Sequence, residues 1–178
     1  MESQSYIKRG TIMGLQVGEP IPVLDLPVRV GDEFETINTG EIAQGKRIII
    51  FALPGAFTPT CSTYQLPGFE EKFEEFQEKG IDDIYCLSVN DTFVMNAWFK
   101  EQGIEKVKPL PDGSRGFTAS IGANVQKDNL GFGLRSWRYA IVVNDGVIEK
   151  VFTEEGQSDD IDSDPYEVSS PENVLENI

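Results

Sequence analysis

The sequence predicts one α/β domain, a mixed central β-sheet with helices packed on it. Three observations carry that prediction. The short apolar runs "KRIIIFAL" (46–53) and "IYCLSV" (84–89) are each followed by a segment of helical periodicity, and strand-helix alternation marks a parallel sheet. Near the end, "RYAIVVNDGVIEKVF" (138–152) divides around Asn144-Asp145-Gly146, the turn chemistry of an antiparallel hairpin. The chain has 178 residues, a length one core can serve without disulfides.

Residues 1–16 read as an N-terminal extension and 17–178 as the single domain. "MESQSYIKRGTI" has neither the apolar core of a secretion signal nor enough basic residues for an organellar address. The run 46–53, bounded by Gly45 and Pro54, reads as a strand buried on both faces. Thr58 then serves as a helix N-cap and Pro59 as the first helical residue, where a missing N–H costs nothing. Leu66, Phe69, Phe73 and Phe76 recur at spacings of three and four, with Glu70, Glu71, Glu74, Glu75 and Glu78 opposite, so an amphipathic helix is expected to about Lys79. Pro67 interrupts it and predicts a bend near residues 63–67. Gly80 ends the helix. The second strand carries Cys86, and Asp91 caps a helix closed by Gly103. "KVKPLPD" reads as a short strand and "RGFTASIG" as a helical turn. The acidic run "TEEGQSDDIDSDPYEVSS" (153–170) reads as a solvated loop, and Ser170-Pro171 opens a closing helix.

Composition narrows function. Thirty acidic against fifteen basic residues give a net charge of −15, which repels phosphate backbones and anionic lipid, so neither nucleic acid nor membrane is an expected partner. The longest apolar stretch has strand length, far below the ~20 residues of a membrane span, and a cytoplasmic location is expected. There is no histidine, which removes the commonest metal ligand and every Ser-His-Asp or Cys-His arrangement. The two cysteines, 61 and 86, lack metal-site spacing. No metal or other cofactor is expected.

Counting from Thr58 places Cys61 at the third helical position. Unpaired N–H groups and the positive end of the helix dipole favour an anion there, so a reactive thiolate is the functional reading. The bland alternative is a small buried hydrophobe, as free cysteines usually are. The setting, a loop at the carboxyl end of a buried strand, is where α/β folds place their sites. A phosphatase-type loop needs arginine six residues after the cysteine, but Pro67 stands there. A dithiol needs cysteine three residues on, but Tyr64 stands there. A single-thiolate reaction with a small electrophile remains.

Pro54-Gly55-Ala56-Phe57-Thr58-Pro59-Thr60-Cys61 matches the pattern Pro-x-x-x-Thr-x-x-Cys, and with "FTPTCS", "LPGFEE", "CLSVNDTFVMNAW", "LGFGLRSWRYAIVVNDGVIEK" and "DPYEVSS" the chain resembles the type II, peroxiredoxin-five-like peroxiredoxins from about Val17 to the C-terminus. It is also similar to the peroxiredoxin part of bacterial peroxiredoxin-glutaredoxin hybrids. The resemblance implies a thioredoxin-like fold and a peroxidase without metal or haem. Cys61 would be the peroxidatic cysteine, attacking hydrogen peroxide or an organic hydroperoxide and becoming a sulfenic acid. Thr58 would hydrogen-bond thiolate and peroxide, and Pro54 would shield the thiolate from water. Arg135 and Arg138 compete for the family's arginine; the pattern favours Arg138, and a surface salt bridge suits Arg135. Cys86 is the one internal resolving cysteine available, but its place in an apolar strand argues for a core thiol. Glutathione, glutaredoxin or thioredoxin would then reduce the sulfenic acid, with the glutathione and glutaredoxin route favoured. A homodimer is implied as well. The rival from another class is a non-enzymatic, thioredoxin-fold binding or chaperone-like protein, which a peroxide-dependent assay separates.

Overall fold

The computed structural model describes residues 15–178, so the predicted N-terminal extension lies almost wholly outside the described residues. A hairpin of β1 (Asp25–Val30) and β2 (Glu33–Asn38) leads through the short helix α1 (Thr39–Ala43) into β3 (Arg47–Leu53). The chain then passes the helical run starting at Pro59, β4 (Asp83–Ser88), α4 (Thr92–Gln102), β5 (Lys108–Pro111) and α5 (Gly116–Ser120). A small antiparallel pair, β6 (Asn124–Gln126) and β7 (Leu134–Ser136), precedes β8 (Tyr139–Asn144), β9 (Val147–Thr153) and the closing helix, Pro171–Glu176.

Five strands form the central sheet in the order β5-β4-β3-β8-β9. β3 runs parallel to β4 and antiparallel to β8, and β8 antiparallel to β9, so the sheet is mixed as expected. In the β8-β9 turn Asp145 and Gly146 have φ of 50° and 82°, the paired left-handed geometry that tight hairpins need. Pro109 and Pro111 are tolerated in β5 because it is an edge strand with few ladder donors to lose.

β3 explains why the sheet is buried on both faces. Ile48, Ile50 and Ala52 point to one side and pack with Tyr85, Tyr139, Ile141 and Phe117, whereas Ile49, Phe51 and Leu53 meet Phe69, Phe76, Met95 and Trp98 on the other. The second layer holds both cysteines. Phe51 stacks on Phe69 with centroids 4.1 Å apart, and each such side chain buried adds roughly 1.5–3 kcal/mol.

The amphipathic segment begins at Pro59 as predicted, but it is not one regular helix. Cys61–Gln65 form a π-helical turn in which the Leu66 N–H donates to the Cys61 carbonyl, followed by α2 (Leu66–Glu71) and, after a break at Lys72, α3 (Phe73–Glu78). Pro67 accounts for the bend. It has no N–H for the Thr63 carbonyl and its ring obstructs a regular turn, and one extra residue in the turn relieves both problems. Asp91 caps α4 through the Val94 N–H, with Gly103 left-handed at its end. The closing helix, α6, is capped by the Ser170 side chain, with Pro171 first. No described helix is long and apolar enough to cross a membrane.

The acidic run is irregular and largely exposed after β9, as expected. Two points tie it down, since Glu154 and Ser169 are buried and residues 164–166 reach the end of the sheet where Cys61 lies. The loop thus supplies partners to a buried arginine while most of its side chains face solvent.

Candidate active site

The site forms where β3 ends. Because β8 runs antiparallel to β3, with Tyr139 opposite Ala52, the residue just before β8 lies beside the loop just after β3. Arg138 is thereby brought to Cys61 across 77 positions of sequence.

Cys61 is fully buried and unpaired. Arg138, 2% exposed, directs Nη1 at its Sγ from 3.4 Å and at Gln65 Oε1 from 2.5 Å. The outer side of the guanidinium is held by Asp164 Oδ1 at 2.6 Å from Nη2, by the Pro165 carbonyl at 3.1 Å from Nε, and by the Tyr166 ring at 5.7 Å. Burial works against the charge of Arg138, but the Cys61 charge and Asp164 outweigh it and raise its pKa above the ordinary arginine value. The guanidinium thus meets the sulfur in a poorly screened place.

Thr58 behaves differently from a simple cap. Its carbonyl accepts the first helical bond, from the Ser62 N–H at 2.9 Å, while its hydroxyl donates to the Gly55 carbonyl at 2.7 Å. With that hydrogen committed, the hydroxyl oxygen can act only as an acceptor toward a further group. Pro54 is buried at the start of the loop.

Arg135 is not in a surface salt bridge. Its Nη1 donates to the Pro54 carbonyl at 2.9 Å and its Nε to the Phe132 carbonyl at 3.3 Å. Burial lowers its pKa, opposed by the Cys61 charge. A Cβ on Gly55 would collide with Arg135 Nη1, so this glycine is set by a close approach. Asn90, at the end of β4, holds the same loop by accepting from the Ala56 N–H at 3.0 Å and the Ser88 hydroxyl at 2.6 Å. Phe57 sits between these tethers with φ of 66°, a strained value for a bulky residue that surrounding contacts must maintain.

Gln65, Asn90, Asp164, Pro165 and Tyr166 were not anticipated. Gln65 had a local signal, since it lies four residues beyond Cys61 on the same helical face. The others come from distant strands and loops that only the folded chain brings near.

Cys86 lies in the centre of β4 opposite Phe51, fully buried. Burial, and then the Cys61 charge, push its thiol pKa well above the usual value. A protonated thiol in a packed strand is a poor nucleophile.

Comparison with known proteins agrees with this geometry. A model of the redoxin family matches residues 16–174. A peroxiredoxin of Rhizobium etli is 57% identical over 164 residues, 87% of this chain and 92% of the relative. The hybrid peroxiredoxin hyPrx5 of Haemophilus influenzae is 43% identical over 163 residues, 92% of this chain and 66% of the relative. Among crystal structures, the Plasmodium falciparum antioxidant protein, a 1-Cys peroxiredoxin, superposes with a TM-score of 0.86 at 38% identity, covering 90% of this chain and 96% of that one. Reduced Prx3 of Vibrio vulnificus in complex with hydrogen peroxide gives 0.82 at 35% identity, covering 90% and 94%. Fold, motif and relatives agree: the chain belongs to the peroxiredoxin family, in its type II, peroxiredoxin-five-like branch.

Proposed function

We propose that this thiol-dependent peroxidase reduces hydrogen peroxide and organic hydroperoxides at Cys61 and is recycled by glutathione with glutaredoxin. The single observation that carries the reading is a fully buried cysteine with the guanidinium of a 2%-exposed arginine 3.4 Å from its sulfur.

Cys61 is the nucleophile. Its thiolate attacks one peroxide oxygen, the S–O bond forms as the O–O bond breaks, and the sulfur becomes a sulfenic acid while the departing oxygen takes a proton as water or alcohol. Thr58 accepts from the peroxide O–H and so fixes which oxygen faces the sulfur. Arg138 first favours the thiolate and then meets the charge developing on the peroxide oxygens, a preorganised donor needing no rearrangement during reaction. Pro54 takes up space beside the thiolate that water would otherwise fill. Two thiols complete the cycle: one condenses with the sulfenic acid to a mixed disulfide and water, and the second releases Cys61 as the thiol.

The burial and raised pKa of Cys86 support an external reductant over an internal disulfide. Its Cα would have to come within ~7 Å of Cys61 with Cβ vectors converging, and Cys61 is held in the π-helical turn. Half-exposed Phe57, in the loop that leads to Cys61, supports a homodimer with loops near Cys61 in contact. Two unpaired cysteines suit a reducing compartment such as the cytoplasm.

Cys61→Ser tests the reading in an assay coupling glutathione, glutaredoxin and NADPH to peroxide loss. Activity is expected to vanish, and peroxide consumption at the wild-type rate would end the proposal. Mass spectrometry after one equivalent of peroxide tests the recycling route. A sulfenic acid or glutathione adduct on Cys61 is expected, and an intramolecular loss of two hydrogens would make Cys86 the resolving cysteine.

A further inference from the structure

We infer that Glu154, which touches no reacting atom, is a positioning residue that sets the Arg138 guanidinium through the strap of residues 164–169. The inference rests on the role proposed above for Arg138.

Among the described residues, the hydrogen bonds, ion pair and ring contact of the Arg138 guanidinium away from Cys61 and Gln65 come from three consecutive residues, Asp164, Pro165 and Tyr166. These lie in an irregular stretch without a sheet or helix ladder of its own, so something else must fix where they sit. Glu154 does so. It is 3% exposed, and its Oε2 accepts from the Glu167 N–H at 2.9 Å, the Ser169 N–H at 2.9 Å and the Ser169 hydroxyl at 2.6 Å. All three donors belong to the strap, one to three residues past Tyr166.

Glu154 is also bonded to the arginine's own main chain. Its N–H donates to the Arg138 carbonyl at 3.2 Å, and its carbonyl accepts from Trp137 Nε1 at 2.7 Å. The contacts therefore close a ring, from the Arg138 backbone to Glu154, from its carboxylate to residues 167–169, and from 164–166 back to the guanidinium. A buried carboxyl group is costly unless hydrogen-bonded, and the three bonds that Oε2 accepts meet that need while they fix the segment. Displacing a preorganised cation by a fraction of an ångström weakens attack without removing any reacting group.

The test is single-turnover peroxide attack by the reduced full chain at neutral pH for Glu154→Ala, Glu154→Gln and each combined with Arg138→Ala. Glu154→Ala is expected to slow attack by about 10- to 100-fold, because the guanidinium loses its fixed position. Glu154→Gln keeps an acceptor oxygen and is expected within about threefold of wild type. In the Arg138→Ala background Glu154→Ala should add less than about twofold, since both changes remove the same interaction. A folded Glu154→Ala protein attacking at the wild-type rate, or a full additional loss in the Arg138→Ala background, overturns the inference. If Glu154→Ala does not fold, Ser169→Ala, which removes one of the three donors, takes its place in the same cycle, and an unchanged rate or full additivity there overturns it. Attack at the wild-type rate by Arg138→Ala alone would instead remove the arginine's role, so the two failures are distinguishable.

Discussion

Arg138→Ala removes a cation in hydrogen-bond contact with the Cys61 sulfur, and its effect can be sized from the geometry. At a separation of 3.4 Å and an effective dielectric constant of about 20, a unit charge pair is worth about 5 kcal/mol. Screening by solvent is slight because the guanidinium is 2% exposed. Two features reduce the figure: the charge is spread over three nitrogens, and Asp164 neutralises part of it from the outer side. About 3 kcal/mol remains, which slows peroxide attack about 10²-fold, in the range found when one oxyanion donor is removed. Stopped-flow fluorescence of the reduced protein measures this directly, because buried Trp98 donates to the Ser62 hydroxyl at 2.9 Å, one residue from Cys61. Arg138→Lys keeps the charge but not the fork that reaches Cys61, Gln65, Asp164 and Pro165 together, and is expected to lose about tenfold. A folded Arg138→Ala protein within threefold of wild type at neutral pH would refute the electrostatic argument.

Thr58→Val, which keeps shape and loses the hydroxyl, should slow attack by about 10²-fold while Thr58→Ser stays within about tenfold of wild type; equal rates for the two variants in the same stopped-flow measurement would remove the hydroxyl from the mechanism. Gly55→Ala places a methyl against Arg135 Nη1 and should displace the tether to the Pro54 carbonyl, slowing attack about tenfold; a crystal structure with the Arg135 contact intact and an unchanged rate would contradict this. Cys86→Ala should leave glutathione-dependent turnover within twofold and lower stability by about 1 kcal/mol for the lost packing, read from urea midpoints; loss of turnover would give Cys86 a place in the cycle.

Much of this was legible before folding. The alternation in "KRIIIFAL" identifies a strand buried on both faces, because side chains on a strand alternate and both sides here are apolar. Thr58 and Pro59 locate the helix start, and so the first-turn position of Cys61. The N-D-G turn gives the β8-β9 hairpin through its left-handed backbone requirement. The β1-β2 hairpin and α1 escaped notice: β2 is largely exposed, and a strand without a buried face has no strong hydrophobic period. The π turn escaped too, although Pro67 signalled the bend, because where a helix absorbs an extra residue depends on what its neighbours must contact.

Local sequence marked Cys61 as the candidate nucleophile in the first turn of a helix, since the relevant groups lie within one turn of one another and backbone geometry alone relates them. Tertiary structure decided where each guanidinium goes. Arg135 and Arg138 stand three residues apart in the same short stretch; the family pattern favours Arg138, but no local geometry separates the two. The antiparallel register of β8 on β3 sends Arg138 to the sulfur and Arg135 to the Pro54 carbonyl. The acidic run that looks solvated from its charge supplies the arginine's outer partners, because a buried guanidinium draws its counter-groups from whatever chain the fold lays beside it.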